Sequence, residues 1–284
     1  NVLSTIILPV GASTNGVGNN FAELFASSLS GTVFVDLDDN GIQGPGEVGI
    51  PGVAITLTGT DDLGQSVLLT TSTAADGTYA FNDLRSGRYT ITETQPADYV
   101  SGINTIGTQG GIAAPPPANI LSSIVIPMGA STNGVGNNFA ELLASSLSGT
   151  VFLDSDDNGV QGTGEPGIAG VVVTLTGVDG LGNPISRVTT TAADGTYRFD
   201  SLPSGAYTIT ETQPDDYLSG INAIGTQGGT AAPPTSDVLA NIVLPAGVVT
   251  NGTGNNFGEL LPGSLGGTVY WDVNHNGRLD SPDY

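Results

Sequence analysis

The sequence contains no cysteine and no lysine, and it has a single histidine, a single methionine and a single tryptophan among 284 residues. The absence of cysteine excludes disulfides, thiolate zinc sites and a cysteine nucleophile. Five arginines stand against 27 acidic residues, for a net charge of −22, and this balance argues against binding to the phosphate backbone of nucleic acid. No apolar run approaches the roughly 18 residues of a membrane-spanning helix.

The chain repeats itself without gaps at an interval of 118 residues, so that Gly31 corresponds to Gly149. Between the two complete copies, 78 of the 118 positions are identical. A unit of this length is the size of a whole domain. We therefore expect an array cut from a longer chain, with neighbouring repeats as partners. The predicted units are, in order, the end of one repeat (1–29), two complete repeats (30–147 and 148–265) and the start of another (266–284).

Short β-strands are predicted throughout each unit. Val53, Ile55 and Leu57 alternate with polar residues, which places the apolar side chains on one face of a strand. The 43 glycines and 17 prolines interrupt every candidate helix. Each unit is therefore expected to fold as an all-β, antiparallel β-sandwich of about seven strands.

Turns and loops are predicted from local composition. The dipeptides Asp76-Gly77 and Asn133-Gly134 are typical of turns that need a positive φ. The glycine- and proline-rich segment 107–117 is predicted to be a loop within the unit.

Each complete unit carries an acidic loop that fits the pattern D-x-[DN]-x-[DN]-G-x5-E. Such loops bind calcium because side-chain oxygens at positions 1, 3 and 5, a carbonyl at 7 and a carboxylate at 12 surround a hard cation. The predicted ligands in the first unit are Asp36, Asp38, Asn40, the carbonyl of Ile42 and Glu47. Those in the second unit are Asp154, Asp156, Asn158, the carbonyl of Val160 and Glu165.

A third copy of the loop departs from the pattern at its last position. Its candidate ligands are Asp272, Asn274, Asn276, Asp280 and Asp283. Because Asp is shorter than Glu, we expect Asp283 to bind through one oxygen or through water, and this site to be weaker. Ca²⁺ is favoured over Mg²⁺ because a flexible loop with many oxygens suits the larger ion. The same residues would also form a hairpin turn without metal, and that alternative stays open here.

Four further features of the first unit occur together in a known family. They are the segments GTVFVDLDDNGIQGPGE (31–47), GVAITLTG (52–59), DGTYAF (76–81) and YTITETQPADY (89–99). In combination they resemble the B-type repeats of serine-aspartate repeat surface proteins, relatives of the collagen-adhesin B-type domains. The resemblance implies a prealbumin-like or reversed immunoglobulin-like sandwich that binds calcium and acts as a stiff stalk. It assigns the metal role to Asp36, Asp38, Asn40, Glu47 and their counterparts in the other repeats.

The unit departs from shorter family members by the extension 103–142, which would either add strands or mediate lateral contact. Glu93 and its counterpart Glu211 also bear on the resemblance. In pilin-type relatives a glutamate of this segment assists a crosslink between lysine and asparagine, which the absence of lysine makes impossible here. Glu93 is expected to be a strand-end carboxylate paired with hydroxyls or backbone amides. The alternative is a ligand of a second ion.

The sequence favours a structural protein over an enzyme. Neither complete unit contains histidine, which excludes a Ser-His-Asp set there. We expect an extracellular stalk or filament of calcium-stabilised domains, on the bacterial cell surface or secreted. The alternative is an adhesin whose threonine-rich strands or 103–117 loop bind a protein or glycan. Lateral or end-to-end association between chains is left open. The apolar strand at 3–8 permits strand exchange between chains, but the two end fragments together lack the middle of a domain.

Overall fold

The computed structural model describes residues 3–4, 6, 17–21, 23–233 and 236–281. Its regular structure consists of β-strands, which form four five-stranded sheets, two in each repeat. Asp283 and half of the apolar strand expected at 3–8 lie outside the described residues. Within the described part of the chain, no helix has the length and apolar character needed to cross a bilayer.

The first repeat contains ten strands distributed over two sheets. They are β1 (Ser27–Val35), β2 (Ala54–Asp61), β3 (Ser66–Ser72), β4 (Thr78–Leu84), β5 (Gly87–Glu93), β6 (Tyr99–Ser101), β7 (Ile112–Ala113), β8 (Ile120–Ile126), β9 (Asn133–Gly134) and β10 (Phe139–Leu143). One sheet has the order β4-β1-β10-β6, with β9 also paired to β1. The other has the order β3-β2-β5-β8-β7.

The second repeat has the same arrangement. Its strands are β11 (Ser145–Leu153), β12 (Val172–Asp179), β13 (Pro184–Thr190), β14 (Thr196–Leu202), β15 (Gly205–Glu211), β16 (Leu218–Ser219), β17 (Thr230–Ala231), β18 (Val238–Leu244), β19 (Asn251–Gly252) and β20 (Phe257–Leu260). Its sheets have the orders β14-β11-β20-β16, with β19 paired to β11, and β13-β12-β15-β18-β17. A sequence period fixes the length of a unit but not the residue at which it begins, so the unit boundaries stay a prediction.

The core of each repeat lies between its two sheets. Ile55 and Leu57 of β2 are fully buried, as are Ile91 of β5 and Phe139 of β10. The second repeat buries the counterparts of these residues in the same way. The predicted tandem all-β sandwich is therefore confirmed, and apolar alternation along the strands is its physical basis.

Three local predictions were wrong or incomplete. Asn133-Gly134 forms the short strand β9, which runs parallel to β1, instead of a turn. Gly134 is needed for close packing, because a Cβ there would lie 2.6 Å from the side chain of Leu29. The predicted loop 107–117 contains β7, which pairs with β8. In addition, β1 pairs in parallel with β10, an arrangement that the antiparallel prediction did not include.

The extension 103–142 builds strands into its own repeat. It contributes β7 and β8 to one sheet and β9 and β10 to the other. Since β10 lies beside β1, the end of the unit is fixed against its beginning, and the acidic loop starts at the point where β1 ends.

Candidate metal centres

The first acidic loop is folded around the carboxylate of Asp36. This residue directly follows β1 and is buried. Its two oxygens accept hydrogen bonds from the backbone N–H groups of Asn40 (3.2 Å) and Gly41 (2.7 Å). The loop reverses through two residues with positive φ, Asp39 at 58° and Gly41 at 74°. Glycine adopts this conformation without steric cost, which explains its place in the pattern.

The other predicted ligands of this loop are positioned by local hydrogen bonds. Asn40 donates from Nδ2 to Asp38 (2.8 Å) and accepts at Oδ1 from the N–H of Ile42 (2.7 Å). The carboxylate of Glu47 closes the loop by accepting from the N–H groups of Leu37 (2.8 Å) and Gly44 (2.6 Å). The first and last carboxylates of the pattern are thus held on the same side of the loop.

The second loop has the same geometry. Asp154 accepts from the N–H groups of Asn158 (3.1 Å) and Gly159 (2.7 Å). Glu165 accepts from the N–H groups of Ser155 and Gly162, each at 2.7 Å. The agreement between two copies shows that this local sequence specifies the loop.

In each of the first two loops, three carboxylates converge. One oxygen from each of Asp36, Asp38 and Glu47 lies within 4.8 Å of the others, and the same holds for Asp154, Asp156 and Glu165. Calcium binds oxygens at about 2.4 Å, so two ligands on opposite sides of the ion lie about 4.8 Å apart. The carboxylates therefore fit a calcium ion, although the backbone hydrogen bonds would also hold the loop as a turn.

Burial disfavours the charged form of the first ligand. The pKa of Asp36 is raised by burial, against the lowering effect of its hydrogen bonds from Gly41 and Asn40, and the nearby charge of Glu47 raises it further. A cation among these carboxylates would offset both the burial and the repulsion.

The extension supports the loop from one side. A Cβ at Gly41 would lie 2.9 Å from the side chain of Ile103, and the hydroxyl of Thr105 donates to the carbonyl of Gly41 at 2.8 Å. Segment 103–105 thus packs directly on the sharpest bend of the loop.

The third loop keeps the turn without the surrounding sheet. Asp272 accepts from the N–H groups of Asn276 (3.0 Å) and Gly277 (2.8 Å), as in the other two copies. Asp280 accepts from Nδ2 of both Asn274 and Asn276, each at 2.9 Å. All of these hydrogen bonds are exposed, and the described residues 261–271 that precede the loop form no strand. The hydrogen bonds that shape this turn join residues four to six positions apart within the loop.

A second acidic cluster lies between the sheets of each repeat. Glu93 of β5 and Glu141 of β10 are both buried and face each other. Neither oxygen of Glu93 has a hydrogen-bond donor among the described residues. The expected pairing of Glu93 with hydroxyls or amides is therefore wrong. Desolvation and the neighbouring carboxylate raise the pKa of Glu93, and desolvation raises that of Glu141.

The cluster in the second repeat has a third carboxylate. Glu211 and Glu259 take the places of the first pair, and one oxygen from each lies within 4.8 Å of an oxygen of Asp237. Sequence reasoning identified Glu211 but not Glu259. The available signal was that Glu259 lies on the same strand face as the buried Phe257 and recurs at the period.

In calcium-free buffer, the stability of the protein is expected to fall as the pH rises above about 5. A glutamate with a raised pKa keeps its proton in the folded state after the unfolded chain has lost it at the ordinary value of 4.5. Between these two pKa values the folded state binds more protons than the unfolded state. The resulting stabilisation is complete below the unfolded pKa of 4.5 and is lost as the pH rises through the folded pKa. Substituting both Glu93→Gln and Glu211→Gln should flatten this dependence.

Melting temperatures measured in chelator from pH 5 to 9 test this expectation. Asp215→Asn, a change of an exposed carboxylate, is the control and should keep the slope of the unsubstituted protein. A slope that is unchanged in the double variant would show that the buried glutamates do not cause it.

The geometry defines a class: tandem β-sandwich domains, each with an acidic loop at the end of its first strand. The model of the SdrD B-like domain family matches residues 27–123 and 145–255, and the chain belongs to this family. The suspected membership of the B-type repeats of serine-aspartate repeat proteins is thereby confirmed.

Individual relatives agree with this assignment. Serine-aspartate repeat-containing protein F of Staphylococcus epidermidis is 35% identical over 188 residues, which is 66% of this chain and 11% of the relative. Protein I of Staphylococcus saprophyticus is 33% identical over 75% of this chain and 11% of the relative. Protein D of Staphylococcus aureus (strain MW2) is 32% identical over 96% of this chain and 19% of the relative. The chain thus spans between about a tenth and a fifth of these relatives.

Solved structures of pilins show a more distant similarity. The minor pilin GBS52 of Streptococcus agalactiae has 14% identity and a TM-score of 0.36, over 86% of this chain and 99% of the pilin. The shaft pilin SpaA of Lactobacillus rhamnosus GG has 13% identity and a TM-score of 0.29, over 86% of this chain and 100% of the pilin. TM-scores this low do not establish a shared fold, so the fold is assigned from the sheets of this chain.

Proposed function

We propose that the chain is part of a structural cell-surface protein, a calcium-stabilised stalk or filament of tandem β-sandwich domains. The observation that carries this proposal is the convergence of three carboxylates in each of the first two loops. The remaining oxygen donors would be Asn40 and the carbonyl of Ile42, and Asn158 and the carbonyl of Val160. Bound calcium would supply positive charge that neutralises the loop carboxylates and fixes the turn. Family membership supports the placement outside the cell.

Contact between the first loop and the second repeat supports a role for the loop in stiffness. A Cβ at Gly247 would lie 2.9 Å from the carbonyl oxygen of Leu37, and one at Gly180 would lie 3.2 Å from Oδ2 of Asp39. Asp39 is half-buried, whereas its counterpart Asp157 in the second loop is exposed. Because the two loops are otherwise alike, the neighbouring repeat accounts for the difference.

The electrostatics of this junction favour a cation. Burial raises the pKa of Asp39 to about 6, and the charges of Asp36, Asp179 and Asp38 contribute to the rise. Neither carboxylate oxygen of Asp39 has a hydrogen-bond donor among the described residues. Calcium beside Asp36 and Asp38 would weaken this repulsion across the junction. Binding at the loop would therefore both stabilise the first repeat and reduce its movement relative to the second.

Gly247→Ala is expected to loosen the junction. Gly247 has a φ of 74°, and an added methyl group would press on the backbone of Leu37. Its counterpart Gly129 has a φ of 89°, but a methyl group there would meet no atom within 4 Å, so Gly129→Ala is a matched control. Both changes place alanine in a left-handed backbone conformation and should lower the stability of their repeat by about 1–2 kcal/mol. Only Gly247→Ala should change how the repeats are arranged.

Small-angle X-ray scattering of the full chain in saturating calcium measures this difference. We expect a broader distance distribution for Gly247→Ala than for the unsubstituted protein and Gly129→Ala, and a similar broadening of the unsubstituted protein in chelator. Identical curves for all three proteins in both conditions would contradict a stiff, calcium-dependent junction.

A further inference from the structure

We propose that the second repeat contains an additional Ca²⁺ site between its sheets, formed by Glu211, Asp237 and Glu259. The first repeat lacks this site because Asn119 stands where the second has Asp237. The proposal does not depend on calcium binding by the acidic loops, since the cluster shares no residue with them.

The geometry of the cluster suits a metal ion with oxygen ligands. Glu211 of β15 and Glu259 of β20 approach from opposite sheets, and Asp237 immediately precedes β18. One oxygen from each lies within 4.8 Å of the other two, which matches opposite ligands of calcium at about 2.4 Å from the ion. Glu211 is 4% exposed and Glu259 is fully buried.

Three carboxylate oxygens of this cluster lack hydrogen-bond donors from the described groups around it. Among the described residues, none donates to either oxygen of Glu211 or to Oε1 of Glu259. Unpaired polar atoms are uncommon inside proteins because their desolvation is not compensated. Here the unpaired atoms belong to carboxylates that are more than nine-tenths buried and that face one another. An ion bound at their centre would satisfy them together.

Within the described part of the chain, no arginine pairs with this cluster, and the sequence has no lysine. In the second repeat, Arg187 donates to the carbonyl oxygens of Asp200 and Ser201, and Arg198 pairs with the carboxylate of Asp200. Compensating positive charge must therefore come from solution. A proton shared between Glu211 and Glu259 would neutralise one charge and leave the third carboxylate uncompensated.

The third carboxylate is held in place by polar neighbours. Asp237 accepts a hydrogen bond from the hydroxyl of Ser219, and the amide of Asn222 lies 3.5 Å from the same oxygen. The exposed Gln213 donates from Nε2 to Oε2 of Glu259.

The first repeat shows what the same position does without the third carboxylate. Asn119 donates from Nδ2 to Gln95 at 2.9 Å and accepts from the hydroxyl of Ser101 at 2.5 Å. It presents an amide instead of a negative charge. The remaining pair, Glu93 and Glu141, needs only one shared proton to remove the repulsion between them.

Counting bound calcium tests the proposal. Equilibrium dialysis of the full chain in saturating Ca²⁺ should find one ion fewer per chain in Asp237→Asn than in the unsubstituted protein. The reciprocal change, Asn119→Asp, should add one ion by creating the same cluster in the first repeat. Both substitutions are isosteric, and circular dichroism in chelator would confirm that each variant is folded.

Equal stoichiometry in Asp237→Asn and the unsubstituted protein would overturn the proposal and favour a shared proton. Failure of the loop sites would lower the count in all proteins equally, so it would leave the differences between variants intact. The two proposals can therefore fail separately.

Discussion

Asp154→Asn is expected to remove the calcium-dependent stabilisation that the acidic loop gives the second repeat, and to weaken that repeat even in chelator. Asp154 is fully buried, and its two oxygens accept from the N–H groups of Asn158 and Gly159. An amide directs its NH₂ group at one of these donors and leaves it unpaired, at a cost of about 1–3 kcal/mol. In calcium, the second repeat would also lose the stabilisation from binding at this loop, which is about 4 kcal/mol when free calcium is about 1,000 times Kd.

Asp157→Asn is the matched control for this prediction. Asp157 lies in the same loop, is exposed, and has a φ of 55°, a conformation that asparagine tolerates well. Calorimetric unfolding with and without calcium should show a normal calcium response in this variant and a reduced response from the second repeat in Asp154→Asn. A full calcium response in Asp154→Asn would show that Asp154 is not a ligand.

Gly149→Ala is expected to prevent the second repeat from folding. Gly149 lies in β11 where the chain between β19 and β20 crosses it, and a Cβ would be 1.7 Å from the carbonyl oxygen of Asn255. That oxygen accepts from the hydroxyl of Tyr197 at 2.5 Å, and the N–H of Asn255 donates to the carbonyl of Ser148. Because hydrogen bonds hold this backbone from two sides, it cannot move away from an added methyl group. We therefore expect the free energy of unfolding of the second repeat to fall by more than about 4 kcal/mol.

Urea unfolding provides the measurement, with Gly263→Ala as the control. Gly263 follows the last strand, and a Cβ added there would meet no atom within 4 Å. We expect one urea-unfolding transition from each repeat, and Gly263→Ala should leave both in place. Survival of the second transition in Gly149→Ala would mean that β11 and the crossing chain are farther apart than described.

The strands and the first two loops could be predicted from sequence because their causes are local. Alternation at Val53, Ile55 and Leu57 defines a buried face, and hydrogen bonds between residues four and five apart shape the loop around Asp36. The parallel pairing of β1 with β9 and β10 could not be predicted, because it joins residues about 105 positions apart. Asn133-Gly134 has the composition of a turn, and only that distant partner makes it a strand.

The buried acidic cluster illustrates a different limit. Alternation places Glu93 and Glu141 on the inward faces of their strands, but it cannot show that strands of opposite sheets bring them together. The junction is a further example. Asp39 and Asp157 occupy the same position in nearly identical loops, yet only Asp39 is covered by a following repeat. Burial by a neighbouring domain leaves no mark in the local sequence.

Thermal unfolding of the full chain in excess calcium and in chelator, at matched ionic strength, tests the central claim most directly. If calcium binds the loops of the folded repeats, each occupied site contributes about 4 kcal/mol at about 1,000 times Kd, which raises the melting temperature by on the order of 10 °C. We predict this rise, and we predict that it is smaller for the second repeat in Asp154→Asn. Equal melting temperatures in calcium and chelator would contradict calcium-stabilised repeats and leave the acidic loops as turns without metal.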